Sequence, residues 1–350
     1  MKGNIRGECI MTKPFSIKEA RDIVQDLFEP NMAIFWTDLV VTCTLAYSSF
    51  FTIISAPNFS LLQIAAFIIA IFTFYRATAM IHEVVHLSRR KFGKFRFVWN
   101  VVWGIPWMAP SFLYEVHRAH HNKNMYGTDE DPEYLPLGAG PSYQIILYLA
   151  QSFFIMPYLV LRLVFWTPIS YLHPKLRAWT LRRFSAAVID NAYVRPEMKG
   201  DEWKDLYYQE WGACLYGLTI FTLTLLGIVP LKAIIAGYLI SVAAWFTNNI
   251  RTLVAHGYTN TGDKMTYEEQ MLDSINVPGN IFTELWAPMG LRYHALHHFF
   301  PAIPYHSLPE AHRRLMKQLP EDSIYRKTNR SSVLSAIVQL FKGTSTPKAS

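Results

Sequence analysis

Histidines occur in three clusters whose spacing could bring several imidazoles to one point. The pattern His-x-x-His-His occurs twice, and a third cluster has a spacing of four. Residues three and four positions apart lie on the same face of a helix, so each cluster can direct its imidazoles toward a common point. Eight of the twelve histidines belong to these clusters, which form the first box (His82, His86), the second box (His117, His120, His121) and the third box (His294, His297, His298).

Metal binding is the chemistry that these clusters favour. Imidazole is the commonest neutral nitrogen ligand for iron, zinc and copper. Eight or nine such ligands exceed the needs of one ion and are enough for two. We therefore interpret the boxes as the ligands of one metal centre. A lone histidine is more often structural, which is our interpretation of His173 and His312.

Two other metal chemistries match part of the pattern. Residues 82–86 read His-Glu-x-x-His, the metalloprotease helix in which glutamate is the general base. That motif is short, and it leaves the two later boxes without a purpose. A carboxylate-bridged di-iron bundle needs a pair of Glu-x-x-His motifs and two further glutamates, whereas Glu83 and His86 form a single such motif. An all-histidine centre is therefore favoured.

Composition argues against a soluble protein. Of the 350 residues, 51% are hydrophobic and 17% charged, and the apolar residues form long blocks. The three cysteines, Cys9, Cys43 and Cys214, form no Cys-x-x-Cys motif, so a disulfide framework or zinc ribbon is not supported and a reducing, cytosol-facing setting fits. The net charge of +7 comes with no nucleic-acid motif. Basic residues instead flank apolar segments, as in cytoplasmic loops.

The elements that must hold the boxes are predicted from the apolar segments. We predict an all-α integral membrane protein with four transmembrane helices in two hairpins, and a cytoplasmic helical cap that holds the histidine boxes. Two further apolar segments are predicted to be interfacial or re-entrant. Prolines interrupt these segments, and all boxes must face one side of the membrane to share metals. The predicted crossings are 39–56, 61–81, 211–231 and 233–250, and the predicted interfacial or re-entrant segments are 97–113 and 143–169.

The remaining segments are predicted from their charge. Residues 1–32 and 316–350 are expected to be cytoplasmic terminal segments flanking a membrane domain at 33–315, with a disordered tail at the end. The basic cluster at 89–91 marks the end of the second crossing as cytoplasmic. Arg76 lies inside that crossing, where a charge indicates either a functional role or a side chain that snorkels to the interface.

The order and spacing of the boxes, with apolar hairpins around them, resemble the membrane fatty acid desaturases. The resemblance extends from residue 39 to about residue 315 and includes Gly-Thr-Asp at 127–129, Asp-Pro-Glu at 131–133, Phe-Pro at 300–301 and Pro-Tyr-His at 304–306. It implies a centre of two iron ions (Fe2+/Fe3+). With O2 as co-substrate and two external electrons, such a centre removes hydrogens from a methylene pair of a fatty acyl lipid and leaves a double bond.

The same resemblance implies further site residues. A histidine is expected at the cytoplasmic end of the last crossing helix, and His256 occupies that place. Related acyl-CoA desaturases hold a metal-bound water with an asparagine one turn earlier, where this chain has Thr252. Asn249, on the same helical face as His256, is predicted to replace it. Metal-bound imidazoles need acceptors for their other nitrogen, and the candidates for that partner are Glu83, Asp129, Asp131 and His306.

Rival functions, partners and location complete the prediction. A lipid or carotenoid hydroxylase or ketolase would use similar boxes and insert oxygen. A metal transporter would place polar ligands near the bilayer midplane, whereas these histidines lie at helix ends.

No His-Pro-Gly-Gly stretch is present, so electrons are expected from a separate ferredoxin or cytochrome b5 type donor with its reductase, docked on a basic face. The active site is predicted on the cytoplasmic side, with a bacterial inner membrane favoured over the endoplasmic reticulum.

Overall fold

The computed structural model describes residues 16–187, 189–190 and 192–344. Residues 1–15 of the predicted N-terminal segment, with Cys9 among them, and residues 345–350 of the predicted tail lie outside the described residues. Within them the chain is helical, with two isolated bridges, His256 to Ser274 and Asn276 to Asn329, and no strand. The prediction of an all-α fold is confirmed.

Seventeen α-helices follow one another along the described residues. They are α1 (Ile17–Val24), α2 (Met32–Ser55), α3 (Leu61–His86), α4 (Arg89–Trp99), α5 (His117–His120), α6 (Tyr143–Ala150), α7 (Ser152–Val160), α8 (Trp166–Ser170), α9 (Pro174–Arg183), α10 (Glu202–Leu225), α11 (Leu231–Leu253), α12 (Tyr267–Asp273), α13 (Thr283–Trp286), α14 (His294–Phe299), α15 (Leu308–Gln318), α16 (Ile324–Lys327) and α17 (Val333–Thr344). Two π-helical turns, Asn100–Gly104 after α4 and Leu161–Phe165 between α7 and α8, extend them, as do short 3-10 turns at Gln25–Leu27, Ser111–Leu113, Leu291–Tyr293 and Tyr305–Ser307.

Four helical segments of the described chain are long and apolar enough to cross a bilayer. They are α2, α3, Ser152–Ser170 (α7 to α8) and α11. Their outer faces expose large apolar side chains such as Val40, Phe51 and Leu62, which water would disfavour and lipid accepts. The chain is therefore a multi-pass membrane protein.

This set differs from the predicted crossings in one segment. Residues 152–170 qualify, although 143–169 was predicted to be interfacial or re-entrant. The predicted crossing at 211–231 lies mostly in α10, which is not among the four. The N-terminal half of α10 carries Glu202, Asp205 and Glu210. Its C-terminal half still exposes Leu215, Phe221 and other apolar side chains. A crossing by α10 stays a prediction.

The long apolar helices pack on one another, and α10 packs on the segment from α7 to α8. The helices α2 and α3 pack directly on each other, and α11 packs on α3 and α7. The helices predicted as the second hairpin, α10 and α11, both pack against the segment from α7 to α8. Buried Glu210 fixes α10 there, because it accepts hydrogen bonds from Arg162 and Arg177 at 2.7 Å. Such a carboxylate is tolerated in an apolar setting because it is fully paired.

The charge inside the second predicted crossing is also paired. Arg76 of α3 donates through Nε to Asp38 of α2 at 3.0 Å. The Tyr305 hydroxyl donates to the same carboxylate at 2.8 Å, so this pair also ties the membrane helices to the segment that follows the third box. Ion pairing, rather than snorkelling alone, accounts for Arg76.

Candidate metal centre

The first box occupies the last turns of α3. His82 and His86 are four residues apart and therefore share one face. Val84 and Val85 beside them are fully buried and hold this end of the helix in the core. The helix ends at His86, because Leu87 is extended. Both imidazoles consequently project from the end of a long, packed helix.

The second and third boxes lie on two short helices, α5 and α14. In each box the first and last histidines are four residues apart and share a face, whereas the middle histidine points to another side. Gly290 opens the third box with a positive φ of 70°, which glycine adopts at little cost. A Cβ there would lie 2.6 Å from Leu308 Cδ1 and 3.2 Å from the Tyr305 carbonyl oxygen, so a side chain would also require Leu308 to move.

The structure brings all nine predicted ligand histidines into two groups. In each group the ligand atoms lie within 4.8 Å of one another. The five-histidine group comprises His82, His86, His117, His121 and His297. The four-histidine group comprises His120, His256, His294 and His298. The His-x-x-His-His spacing explains the division, since each such box sends its outer pair to one group and its middle histidine to the other.

Distances between ring nitrogens show how tightly each group converges. The Nε2 atom of His297 lies 3.1 Å from those of His86 and His121. In the other group, Nε2 of His256 lies 2.7 Å from that of His294 and 3.1 Å from that of His120. The groups are adjacent, because the rings of His121 and His298 have centroids 4.4 Å apart across the boundary.

These nitrogens fit metal ions. Metal–nitrogen bonds of about 2.1 Å place neighbouring ligand nitrogens about 3 Å apart, as the Nε2 atoms lie here. The Nε2 atom of His82 is buried and has no hydrogen-bond partner in the described part of the chain, which is costly unless an ion binds it. Two adjacent groups of neutral nitrogen donors suit two ions of the iron, copper or zinc type.

Electrostatics keep most of the imidazoles outside the membrane segments neutral. Burial, reinforced by neighbouring imidazoles, holds the pKa of His117, His121 and His294 well below the usual histidine value. Burial likewise lowers the pKa of His256 to about 4. Burial also acts to lower the pKa of His120, but the adjacent Asp131 carboxylate outweighs it and the pKa is raised. Neutral imidazole is the form that binds metal.

Three of the histidines have close outer partners. His120 donates through Nδ1 to both carboxylate oxygens of Asp131 at 2.9 Å, and His117 donates through Nδ1 to Glu133 at 2.8 Å. Nδ1 of His256 lies 2.8 Å from the Tyr126 hydroxyl, which donates to Asp273 at 2.7 Å. Such contacts fix the ring and leave the other nitrogen for a metal.

The predicted outer partners have different outcomes. Asp131 is fully buried against His120, as described above. Glu83 lies 3.4 Å from Nδ1 of His82 and also accepts from the Tyr305 amide at 3.0 Å. Asp129 is exposed. The structure does not bring His306 to the histidine groups, because its Nε2 accepts from the Asn31 amide at the start of α2 at 3.0 Å.

Asn249 lies buried in α11, but its amide nitrogen is already engaged. It donates to the Tyr148 carbonyl at 3.1 Å and to the Ser152 hydroxyl at 2.9 Å. These bonds tie α11 to the junction of α6 and α7. A water-holding role for Asn249 stays a prediction.

Sequence reasoning missed three contributors: Glu133, Tyr126 and Asp273. Glu133 carried a local signal, since it closes the Asp-Pro-Glu sequence that begins at Asp131. Tyr126 lies 130 positions before His256, and Asp273 lies 17 positions after it. Only the fold brings these two side chains to the histidine. No sequence motif indicates either residue.

One side of the centre is partly open. Six of the histidines are buried, whereas His86, His121 and His298 are partly exposed. The rings of His86 and His121 have centroids 4.8 Å apart, and His298 adjoins His121. These three imidazoles therefore form the accessible edge, which spans both groups.

Comparison with known proteins agrees with this centre. The sequence model of the fatty acid desaturase family matches residues 58–329, more than half of the chain and all three boxes. The chain belongs to this family. It is also similar to a ceramide hydroxylase of Caulobacter vibrioides, with 38% identity over 329 residues that cover 93% of each protein. The protein is thus a membrane oxidoreductase of lipid metabolism, and this relative fits the hydroxylase alternative that the sequence analysis kept beside desaturation.

Proposed function

We propose that this enzyme hydroxylates a ceramide-type lipid. The observation that carries the proposal is the similarity to the ceramide hydroxylase, which extends over nearly the whole of both chains. In this reaction a C–H bond of the lipid becomes C–OH. One oxygen atom of O2 enters the product, and the other leaves as water with two electrons and two protons.

The two histidine groups supply what this reaction needs. Two bound iron ions, one in each group, would provide O2 activation. The protein holds their imidazole ligands by helix geometry and by the contacts to Asp131, Glu133 and Tyr126. The partly exposed edge of His86, His121 and His298 is where the lipid C–H bond would approach both groups.

Desaturation is the second candidate, favoured by the family match. It consumes the same O2 and two electrons with two protons, but removes two hydrogens from neighbouring carbons and yields two waters. The products therefore differ in composition. Hydroxylation adds one oxygen atom to the lipid, whereas desaturation removes two hydrogen atoms.

Expression in a bacterial host that lacks ceramide, supplied with a ceramide of defined chain length, tests the proposal. Lipid extracts analysed by mass spectrometry should show a product with one added oxygen, which carries heavy oxygen when 18O2 is supplied. The His120→Ala protein, lacking one ligand, is the negative control. A product that has lost two hydrogens would replace hydroxylation by desaturation, and an unchanged ceramide would reject the substrate class.

Electron supply and location belong to the same proposal. Exposed Arg90, Lys91 and Lys94 follow the first box directly and would dock an acidic ferredoxin or cytochrome b5 type carrier, served by its reductase. Basic residues at this position also favour the cytoplasmic side of a bacterial inner membrane. Reduction of the purified enzyme by such a carrier should weaken as ionic strength rises.

A further inference from the structure

The helix that follows the apolar segment Ser152–Ser170 carries positive charge and no negative charge. Residues 134–189 contain five basic residues and no aspartate or glutamate. Four of the five lie in α9: Lys175, Arg177, Arg182 and Arg183. One of them is neutralised, because Arg177 pairs with Glu210 of α10 at 2.7 Å. No acidic residue of this part of the chain balances the other three.

These three basic residues lie on the exposed side of α9. Lys175, Trp179 and Arg182 are four and three positions apart, so they share one face of the helix, and all three are exposed. Arg183 is exposed beside them and donates one N–H group to the Ala192 carbonyl at 3.0 Å. None of the ion pairs among the described residues includes Lys175, Arg182 or Arg183. Their charges therefore face outward.

The opposite face of α9 packs on the apolar segment. Thr180 is fully buried and accepts a hydrogen bond from Nε1 of Trp166 at 3.0 Å. The rings of Trp166 and Trp179 have centroids 6.3 Å apart. Trp166 begins α8, the last helix of the apolar segment. After α9 the chain returns to the residues that precede the second box, because the Ala187 amide donates to the Leu113 carbonyl at 2.7 Å.

Apolar side chains are exposed next to these charges in the chain. Leu172, two residues before α9, is 80% exposed, and Trp179 is 48% exposed. Phe165 and Ile169 are exposed at the end of the apolar segment. Tryptophan is typical of the level at which hydrocarbon meets the headgroups of a bilayer. Basic residues directly after a membrane segment are typical of binding to anionic lipids.

We propose that α9 binds the phosphate headgroup of an anionic phospholipid through Lys175, Arg182 and Arg183, while Trp179 and Leu172 contact its hydrocarbon. The ring contact with Trp166 favours a lipid over an acidic protein, because it places the charges next to the hydrocarbon that surrounds the apolar segment. The bound lipid is a component of the membrane and not the substrate. The proposal is therefore independent of whether the enzyme hydroxylates or desaturates.

The double variant Lys175→Gln/Arg182→Gln tests the site in the purified full-length protein in a neutral detergent. Native mass spectrometry measures the binding of phosphatidylglycerol, with phosphatidylcholine as the lipid without net charge. Each basic residue near the headgroups contributes roughly fivefold to the binding of an anionic lipid, so the double variant should bind phosphatidylglycerol about 25-fold more weakly. Its binding of phosphatidylcholine should be unchanged.

Two further variants are the controls. Lys264→Gln/Lys317→Gln removes the same charge from exposed positions after α11, so phosphatidylglycerol binding should stay at the wild-type level. Lys175→Arg/Arg182→Lys keeps both charges on α9 and should also bind at the wild-type level. If the double glutamine variant fails to fold, Arg182→Gln alone tests the site, with an expected loss of roughly fivefold.

Four outcomes would overturn the proposal. The first is wild-type phosphatidylglycerol binding in the glutamine variants of α9, and the second is an equal loss in the Lys264→Gln/Lys317→Gln control. Slower reduction by an acidic electron carrier with unchanged phosphatidylglycerol binding would assign the surface to a protein partner. Equally strong competition by soluble glycerol phosphate would assign it to a free phosphate compound.

Discussion

The two histidine groups are adjacent, but they are held in different ways. The five-histidine group takes all of its members from the three boxes, and His117 is the member with a close carboxylate partner, at 2.8 Å. The four-histidine group has fewer ligands and includes His256 from outside the boxes. Two of its members have short outer contacts, to Asp131 and to Tyr126. We therefore expect one group to depend on its number of ligands and the other to depend on its outer contacts.

The largest effects should follow the removal of a ligand, and they should differ between the groups. We expect His120→Ala to abolish product formation while membrane insertion is retained, because the four-histidine group then has three ligands. His297→Ala leaves four ligands in its group and should retain more iron. Iron content of the purified variants, measured together with product, checks this order. Full activity of His120→Ala would contradict the metal assignment itself.

Removing an outer carboxylate should have the next largest effect. Asp131→Asn leaves the ligand His120 in place but weakens both contacts to its Nδ1. Outer partners of metal-bound histidines typically contribute about 10- to 100-fold to affinity or activity. We expect a loss in that range, measured as iron affinity in a chelator competition. Asp129→Asn is the matched control, since Asp129 is exposed two residues away. Equal losses in both variants would show that position, not contact, is responsible.

The ease with which each group was predicted from sequence also differs. Local spacing was enough to predict the members of the five-histidine group as ligands, because residues three or four apart share a face wherever a helix forms. The four-histidine group needed the family resemblance to find His256, and its contacts to Tyr126 and Asp273 depend on an isolated bridge between His256 and Ser274. Contacts between distant segments leave no periodic signal in one sequence, which is why Asp273 was missed.

The same reason explains the outcome for the fold. Apolar runs predicted the presence of α2, α3 and α11, because such runs are local, but the predicted crossing 39–56 begins seven residues after the start of α2 and the predicted crossing 61–81 ends five residues before the end of α3. They did not distinguish the segment 152–170 from α10, since Pro157 suggested a break that the helix accommodates next to a π-helical turn. The pairing of Glu210 with Arg162 and Arg177 that joins these two elements is again a long-range contact.

Tyr126→Phe tests whether the link to His256 matters beyond packing. The ring remains, but the hydroxyl between His256 and Asp273 is lost. One neutral hydrogen bond contributes about 1 kcal/mol, or roughly fivefold. We therefore expect a severalfold loss of iron affinity, smaller than that of Asp131→Asn. Tyr47→Phe removes the partly buried hydroxyl that Tyr47, on α2, donates to the Val102 carbonyl, and it controls for the loss of a hydroxyl alone. An unchanged iron affinity in Tyr126→Phe would show that the hydroxyl contact to His256 does not contribute to metal binding.

The smallest effect is expected for Glu83→Gln in the five-histidine group. Its contact with His82 is long, at 3.4 Å, and the amide oxygen of glutamine can still accept from the Tyr305 amide. Since four other imidazoles would hold the same ion, iron affinity should fall by less than about threefold, below the range typical of a close outer partner. Isothermal titration of the iron-free protein would measure it. A loss as large as that of Asp131→Asn would show that the five-histidine group also depends on its outer contacts, and that ligand number alone does not stabilise it.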